Sequence, residues 1–163
     1  MGKVILRIFA LIGLFSFPFA FKKKLIKDWI IVYLTTALSS ILLDIFLVEK
    51  KLLSYPIRIL PKYFKFHIVF DLLLCPIVSV FYNQFTYNDK SILRVVGKLF
   101  LFTIPQLLIE VLTGRYLNMV KWHKWWKWYH TFISMNVKYL VIRMFIKFIR
   151  FVSEYRKSER TGA

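Results

Sequence analysis

The chain has 163 residues, with 25 lysines and arginines against 8 aspartates and glutamates, a formal charge of +17. It is 58% apolar and 19% aromatic with a mean hydropathy of +0.57, which excludes intrinsic disorder, a state that needs low hydrophobicity. A soluble basic domain is excluded on another ground: the apolar residues come in runs close to bilayer thickness. Cys75 is the single cysteine, so no intrachain disulfide forms, and the length fits one domain over residues 1–163.

In chain order, residues 4–21 are apolar but carry Arg7 and Pro18, and they stop at Lys22-Lys23-Lys24. No small-x-small cleavage site precedes the lysines, so this stretch is expected to be retained. Residues 1–26 therefore read as an N-terminal segment that lies in the interface or spans, with the interfacial placement preferred because of the internal proline. Spans are predicted over 29–48, 66–82, 92–113 and 131–152, each near the roughly 20 residues a bilayer requires. A basic tail, 153–163, follows. The fold class is all-α: an integral membrane helical bundle of about four spans plus an N-terminal interfacial or fifth membrane helix. With four spans, twelve basic residues fall on the side of the N-terminus (side A) and nine on side B. That mildly favours side A as cytoplasmic. If residues 4–21 also cross, Lys3 and Arg7 change sides and the bias disappears.

Two side B connections look bound to the membrane surface. Residues 49–65 alternate apolar and basic groups, and Pro56 and Pro61 prevent one continuous helix. Residues 121–130 read KWHKWWKWYH. On a helix, Trp122, Trp125, Trp126 and Tyr129 share one face, with Lys121, Lys124 and Lys127 opposite, which suits a helix lying among headgroups. The plainer alternative is an aromatic belt at the start of the fourth span. The expected partner is membrane lipid, with anionic phospholipid favoured by the basic margins; a protein partner or a second copy is also open. Nucleic acid is not expected, because the positive charge is spread between apolar spans instead of forming one soluble patch.

Helical spacing sorts the polar residues into stripes. Tyr33, Thr36, Ser40 and Asp44 share a face of the first span. His67, Asp71, Cys75 and Ser79 step by four in the second, and Thr103, Gln106, Glu110 and Thr113 line the third. The fourth carries Ser134 and Lys138 on one stripe and Asn136, Arg143, Lys147 and Arg150 on another. An ionised group at mid-bilayer costs about 2.5–3.5 kcal/mol on insertion scales. Asp44, Asp71, Lys98, Glu110, Lys138, Arg143 and Lys147 all facing lipid would cost roughly 15–20 kcal/mol, more than the ~5–15 kcal/mol stability of an ordinary domain. Asp44, Asp71 and Glu110 also fall at one depth, ~5–8 Å from the side B ends of their spans, with Lys138 near that level. Asp71 and Glu110 are thus expected to face inward and pair with Lys138 or Arg143, with Asp44 at the rim. Such a layer can be a packing network, an ion or proton site, or a metal site. Pro76 and Pro105 free the carbonyls of Leu72 and Leu101 from their usual donors.

There is no Gly-x-Ser-x-Gly, no His-Glu-x-x-His and no phosphate-cradling glycine loop, so no enzyme activity, cofactor or metal ligand set is expected. Two roles remain. One is a non-enzymatic component that organises or modulates a membrane assembly. The other is an ion or small-solute transport component that uses the intramembrane acidic and basic layer.

Several runs carry a family resemblance. They are Lys27-Asp28-Trp29-Ile30-Ile31-Val32-Tyr33, Tyr55-Pro56-x-Arg58-x-Leu60-Pro61-Lys62, Phe70-Asp71-Leu72-Leu73-Leu74-x-Pro76, Tyr82-Asn83-Gln84, Ile104-Pro105 with Ile109-Glu110, and Trp126-Lys127-Trp128-Tyr129-His130-x-Phe132-Ile133-Ser134. Over residues 27–150 the chain resembles an uncharacterised family of small multi-pass membrane proteins of spore-forming bacilli and clostridia. The resemblance implies a bacterial cell-membrane protein of about four spans. It supplies no activity, cofactor or partner.

Overall fold

The computed structural model describes residues 2–21, 25–59 and 61–161; the Lys22–Lys24 run and Leu60 lie outside the described residues, as do the side chains of 157–161. Five α-helices are present among the described residues: α1 (Gly2–Ala20), α2 (Ile26–Glu49), α3 (Cys75–Phe85), α4 (Ile92–Leu117) and α5 (Trp128–Thr161). Two short strands, β1 (Leu53–Ser54) and β2 (Lys121–Trp122), pair antiparallel. The all-α class holds. Three helices, α1, α2 and α4, are long and apolar enough to cross a membrane.

The second and fourth predicted spans differ from that standard. The helix of the second apolar segment is shorter. Residues 131–152 do form helix, but Lys138, Arg143 and Lys147 lower the apolarity of α5. The expected tail is no separate element, since α5 runs on through Thr161.

Contacts fix the direction of every rod. Gly2 packs on Ile57 and Met119, and Leu6 is buried with Leu47, Leu52, Leu53 and Phe66. At the other end of α1, the Ala20 carbonyl accepts from Gln84 Nε2 at 2.6 Å. So α1 runs the height of the bundle, antiparallel to α2, with Gly2 and Leu6 at the end that holds the two connections and Ala20 at the other. Side A is held by a cluster of Ala20, Trp29, Val32, Val80, Ile142 and Ile146. Tyr82, Leu99, Met135 and Tyr139 join α3, α4 and α5. Leu11, Phe15, Leu34, Leu38, Leu42, Leu101, Leu108, Val141 and Phe148 point outward. Polar stripes inside and leucine outside is the arrangement a hydrocarbon solvent selects.

One local departure shapes the site. Residues Phe70–Leu74 form a π-helical turn, with Cys75 N–H bonded to the Phe70 carbonyl. The cause is Pro76, whose ring would press on the carbonyl four residues back and whose nitrogen has no proton to give. The freed Leu72 carbonyl accepts instead from the Tyr33 hydroxyl of α2. Tyr33→Phe should therefore cost about 1 kcal/mol, read as a lower melting temperature in detergent. The same substitution made in a Pro76→Ala background should cost clearly less.

Candidate functional site: a capped polar cavity

The predicted stripes converge. On α2, Thr36 Oγ1 donates to Ser79 Oγ of α3 at 2.9 Å, and Ser40 Oγ accepts from Lys138 Nζ of α5 at 2.8 Å. From α4, Gln106 Nε2 reaches Cys75 Sγ at 2.8 Å and Gln106 Oε1 accepts from the Tyr139 hydroxyl at 2.7 Å. Thr103 Oγ1 donates to Asn136 Oδ1 at 3.0 Å. His67, Asp71, Ser79, Thr103, Gln106 and Thr113 are all buried. Helix-to-helix hydrogen bonds of this kind are the usual use of hydroxyls and amides in a bilayer.

At the side B end of these contacts is a cavity of about 70 Å³. Asp44 of α2, Asp71 of the π-helical turn, Glu110 of α4 and Lys138 of α5 line it. Asp71 is only 6% exposed, and its Oδ2 has no hydrogen-bond partner. Asp44 shares this lining with Asp71 and with Tyr55 of the first side B connection. Lys138 acts electrostatically on all three acids. Asp44 and Glu110 are half-buried and line the cavity, so Asp44 belongs to the layer and not merely to its rim. The expected ion pairing of Asp71 and Glu110 with Lys138 or Arg143 is not formed: Lys138 lines the same cavity as the acids but gives its hydrogen bond to Ser40, and the ion pairs among the described residues are Lys98–Asp89 and Arg150–Asp28.

Arg143 is not in this layer. Lying more than a helical turn beyond Lys138 on α5, it sits towards side A. It is buried there; its Nη1 donates to Thr86 Oγ1, and its Nη2 donates to the Thr86 carbonyl at 2.7 Å. Lys98 binds nearby, giving hydrogen bonds to the Phe85 carbonyl at 2.8 Å and to Asp89 at 2.7 Å. Both cations sit at the negative dipole end of α3. The Lys98 ammonium also holds the Asp89 carboxyl below its ordinary range. Arg150 pairs with Asp28 at 2.6 Å and lies over the rings of Tyr87 and Trp29.

The side B connections fold over the cavity as a cap. Leu53, Tyr55, Met119 and Val120 are buried and line it. Three ties hold the two connections together: the β1–β2 pairing, His123 N–H to the Leu52 carbonyl at 2.9 Å, and Ser54 Oγ with His123 Nε2 at 2.7 Å. The segment 121–130 is consequently not the expected surface helix. Lys121 and Trp122 are strand, Lys124 has φ 56, and helix begins only at Trp128. A left-handed lysine interrupts the helical phase that would have aligned the rings. Trp122 and Trp126 are half-buried and both donate to Thr131 Oγ1, at 3.3 and 3.1 Å. Trp125 and Tyr129 stay exposed with Lys121, Lys124 and Lys127. Lys124 Nζ donates to the Lys50 carbonyl across the cap at 3.0 Å.

His67 lies in the cap just before the π turn, with Nε2 3.1 Å from the Met119 carbonyl. Burial pushes its imidazole down to about 4, against the partial pull of the Met119 carbonyl and with a further push from Arg58. An unfolded histidine takes its proton near pH 6.5, and the folded one only near 4. The His67 contribution to stability should therefore be lost as pH drops from 6.5 to about 4 and flatten below that. Melting curves of the native chain and of His67→Gln across this range test it: the advantage of the native chain should shrink towards pH 4.

Tyr55, the Ser40 anchor of Lys138 and the Thr86 clamp on Arg143 were not signalled by the sequence. Tyr55 and Thr86 sit in connections where no periodicity operates, and Ser40 was marked only as part of a stripe. Among the described residues no three His, Cys, Asp or Glu side chains converge closely enough to hold a metal ion. No family model matches the chain, and neither does any curated protein or solved structure.

Proposed function

We propose that this is a small multi-pass protein of the bacterial cell membrane that serves as a transport component for a small ion or solute. The observation that supports this reading is the capped cavity, where three carboxyls and one ammonium are drawn from four elements into the bundle. Ionisable groups at such depth are costly and are by default functional. A purely structural network would be expected to satisfy its members, yet Asp71 Oδ2 is buried without a partner. The family resemblance agrees with the location and adds no activity. Anionic phospholipid is the proposed surrounding partner, given lysines and arginines at both ends of the bundle.

The test is reconstitution into liposomes loaded with a pH-sensitive dye and challenged with ion and amine gradients. Flux should appear with the native chain and fall at least tenfold in both Asp71→Asn and Glu110→Gln. Flux that persists in both variants would remove the cavity from the route.

A second reading, the non-enzymatic organiser of a membrane assembly, is favoured by the exposed rings at side B. Tyr63, Tyr116 and Trp125 are 79%, 75% and 60% exposed beside basic residues. Absence of flux, together with a stable partner recovered in mild detergent, would support that role.

A further inference from the structure

We propose that the cavity binds a small ammonium-type cation, ammonium itself or a short primary amine, in the place now held by the Lys138 ammonium. The inference deepens the transport reading by naming its substrate class, and it rests on that reading. Three observations carry it.

The first is a shortage of cationic partners. Asp44, Asp71 and Glu110 line one cavity with Lys138 as its single basic side chain beside a buried histidine. Lys138 makes its direct hydrogen bond to the neutral Ser40 Oγ and not to a carboxylate. Asp71 Oδ2, on a residue 94% removed from exposure by the 6% figure, has no donor at all.

The second is the chemistry of the acceptors. An ammonium group offers several N–H donors on a compact charge and is satisfied by oxygens spread around it. A dehydrated metal ion needs ligands drawn close about one point, and no three acidic, His or Cys side chains converge in that way among the described residues. The protein already demonstrates the fit, since the end of Lys138 is a primary ammonium within electrostatic reach of all three acids.

The third is size. A volume of about 70 Å³ has room for several water molecules, at roughly 10–15 Å³ each. A one- or two-carbon amine fits, with Leu43, Leu47 and Phe70 available to its carbon. A quaternary ammonium such as choline has no N–H to donate to these oxygens.

The experiment uses the full chain in lipid nanodiscs with Lys138→Met, and methylammonium chloride as the probe. Removing the built-in ammonium should lower the melting temperature. Methylammonium should restore it saturably, by at least about 5 °C. The native chain should gain less than half as much, and the Asp71→Asn, Lys138→Met double variant should gain nothing. Sodium chloride and choline chloride at equal ionic strength should not rescue. Rescue by sodium, equal rescue of the double variant, or no saturable rescue would each overturn the proposal. Should Lys138→Met fail to fold, equilibrium dialysis of radiolabelled methylammonium against Lys138→Gln, which keeps a polar group for Ser40, decides. Binding that Glu110→Gln and Asp71→Asn each weaken at least tenfold supports the proposal, and unsaturable or unchanged binding refutes it. Saturable rescue without liposomal flux would keep this inference and discard transport. Flux of another solute without rescue would do the reverse.

Discussion

Arg143→Met should sharply reduce the amount of folded protein recovered from membranes. The guanidinium is 5% exposed and gives two hydrogen bonds to one residue, Thr86, through its hydroxyl and its carbonyl. Thr86 Oγ1 in turn donates to the Tyr82 carbonyl at 2.8 Å. Arg143 thus ties α5 to the last turn of α3, where carbonyls have no helical donor. Each hydrogen bond from a charged group contributes about 1.5–3 kcal/mol. A loss of at least about 3 kcal/mol is expected, a large share of a marginal total. Arg143→Lys should recover less than half of it, because a single ammonium cannot span both oxygens. Folded yield by size-exclusion chromatography and the detergent melting temperature are the readouts. A variant within 0.5 kcal/mol of the native chain, by that ~0.5 kcal/mol limit for neutral surface changes, would show that the clamp is not holding the helices.

Lys138→Met should be the most damaging change inside the cavity. It removes the ammonium and leaves Asp44, Asp71 and Glu110 facing one another without it. Removing one member of a buried charge cluster typically costs about 3–5 kcal/mol, because the remaining charges are uncompensated. Here the penalty should fall near the lower figure, since Asp44 and Glu110 are only half-buried. The loss should grow in detergents that thin the hydrophobic shell. Ser40→Ala, which removes only the anchor of the ammonium, should cost much less, about 1 kcal/mol.

Much of this site was legible from spacing alone. Ser40 and Asp44, Asp71 and Cys75, and Gln106 and Glu110 sit at helical intervals, so a helix of any tilt puts each pair on one face. The cost of facing lipid then turns those faces inward. What spacing could not supply was the partner of a residue in a connection. Arg143 has helical neighbours on its stripe, but its hydrogen bonds go to Thr86, which lies beyond the end of α3. The expected pairing of Arg143 with an acid failed for that reason, and Thr86 takes its hydrogen bonds instead. The rings of 121–130 failed differently. Their period is helical, yet pairing of Lys121 and Trp122 with Leu53 and Ser54 and the left-handed Lys124 override it. Gly114 permits this, since a Cβ there would meet the Trp122 ring at 2.8 Å. The π turn was half visible, because Pro76 marks a freed carbonyl at Leu72 but gives no sign that Tyr33 fills it. Residues 4–21 were ambiguous by length, and packing of Leu6 and Gly2 against the cap settled their direction.

The claim beneath all of this is that acids and base share one enclosed space. A double-mutant cycle between Asp71→Asn and Lys138→Met, measured as unfolding free energy in nanodiscs, examines it most directly. Groups that share the cavity should couple by at least about 1 kcal/mol, with the double variant more stable than the sum of the single losses. Losses that simply add, to within about 0.5 kcal/mol, would mean that Asp71 and Lys138 do not sense each other and that the cavity is not a charged site.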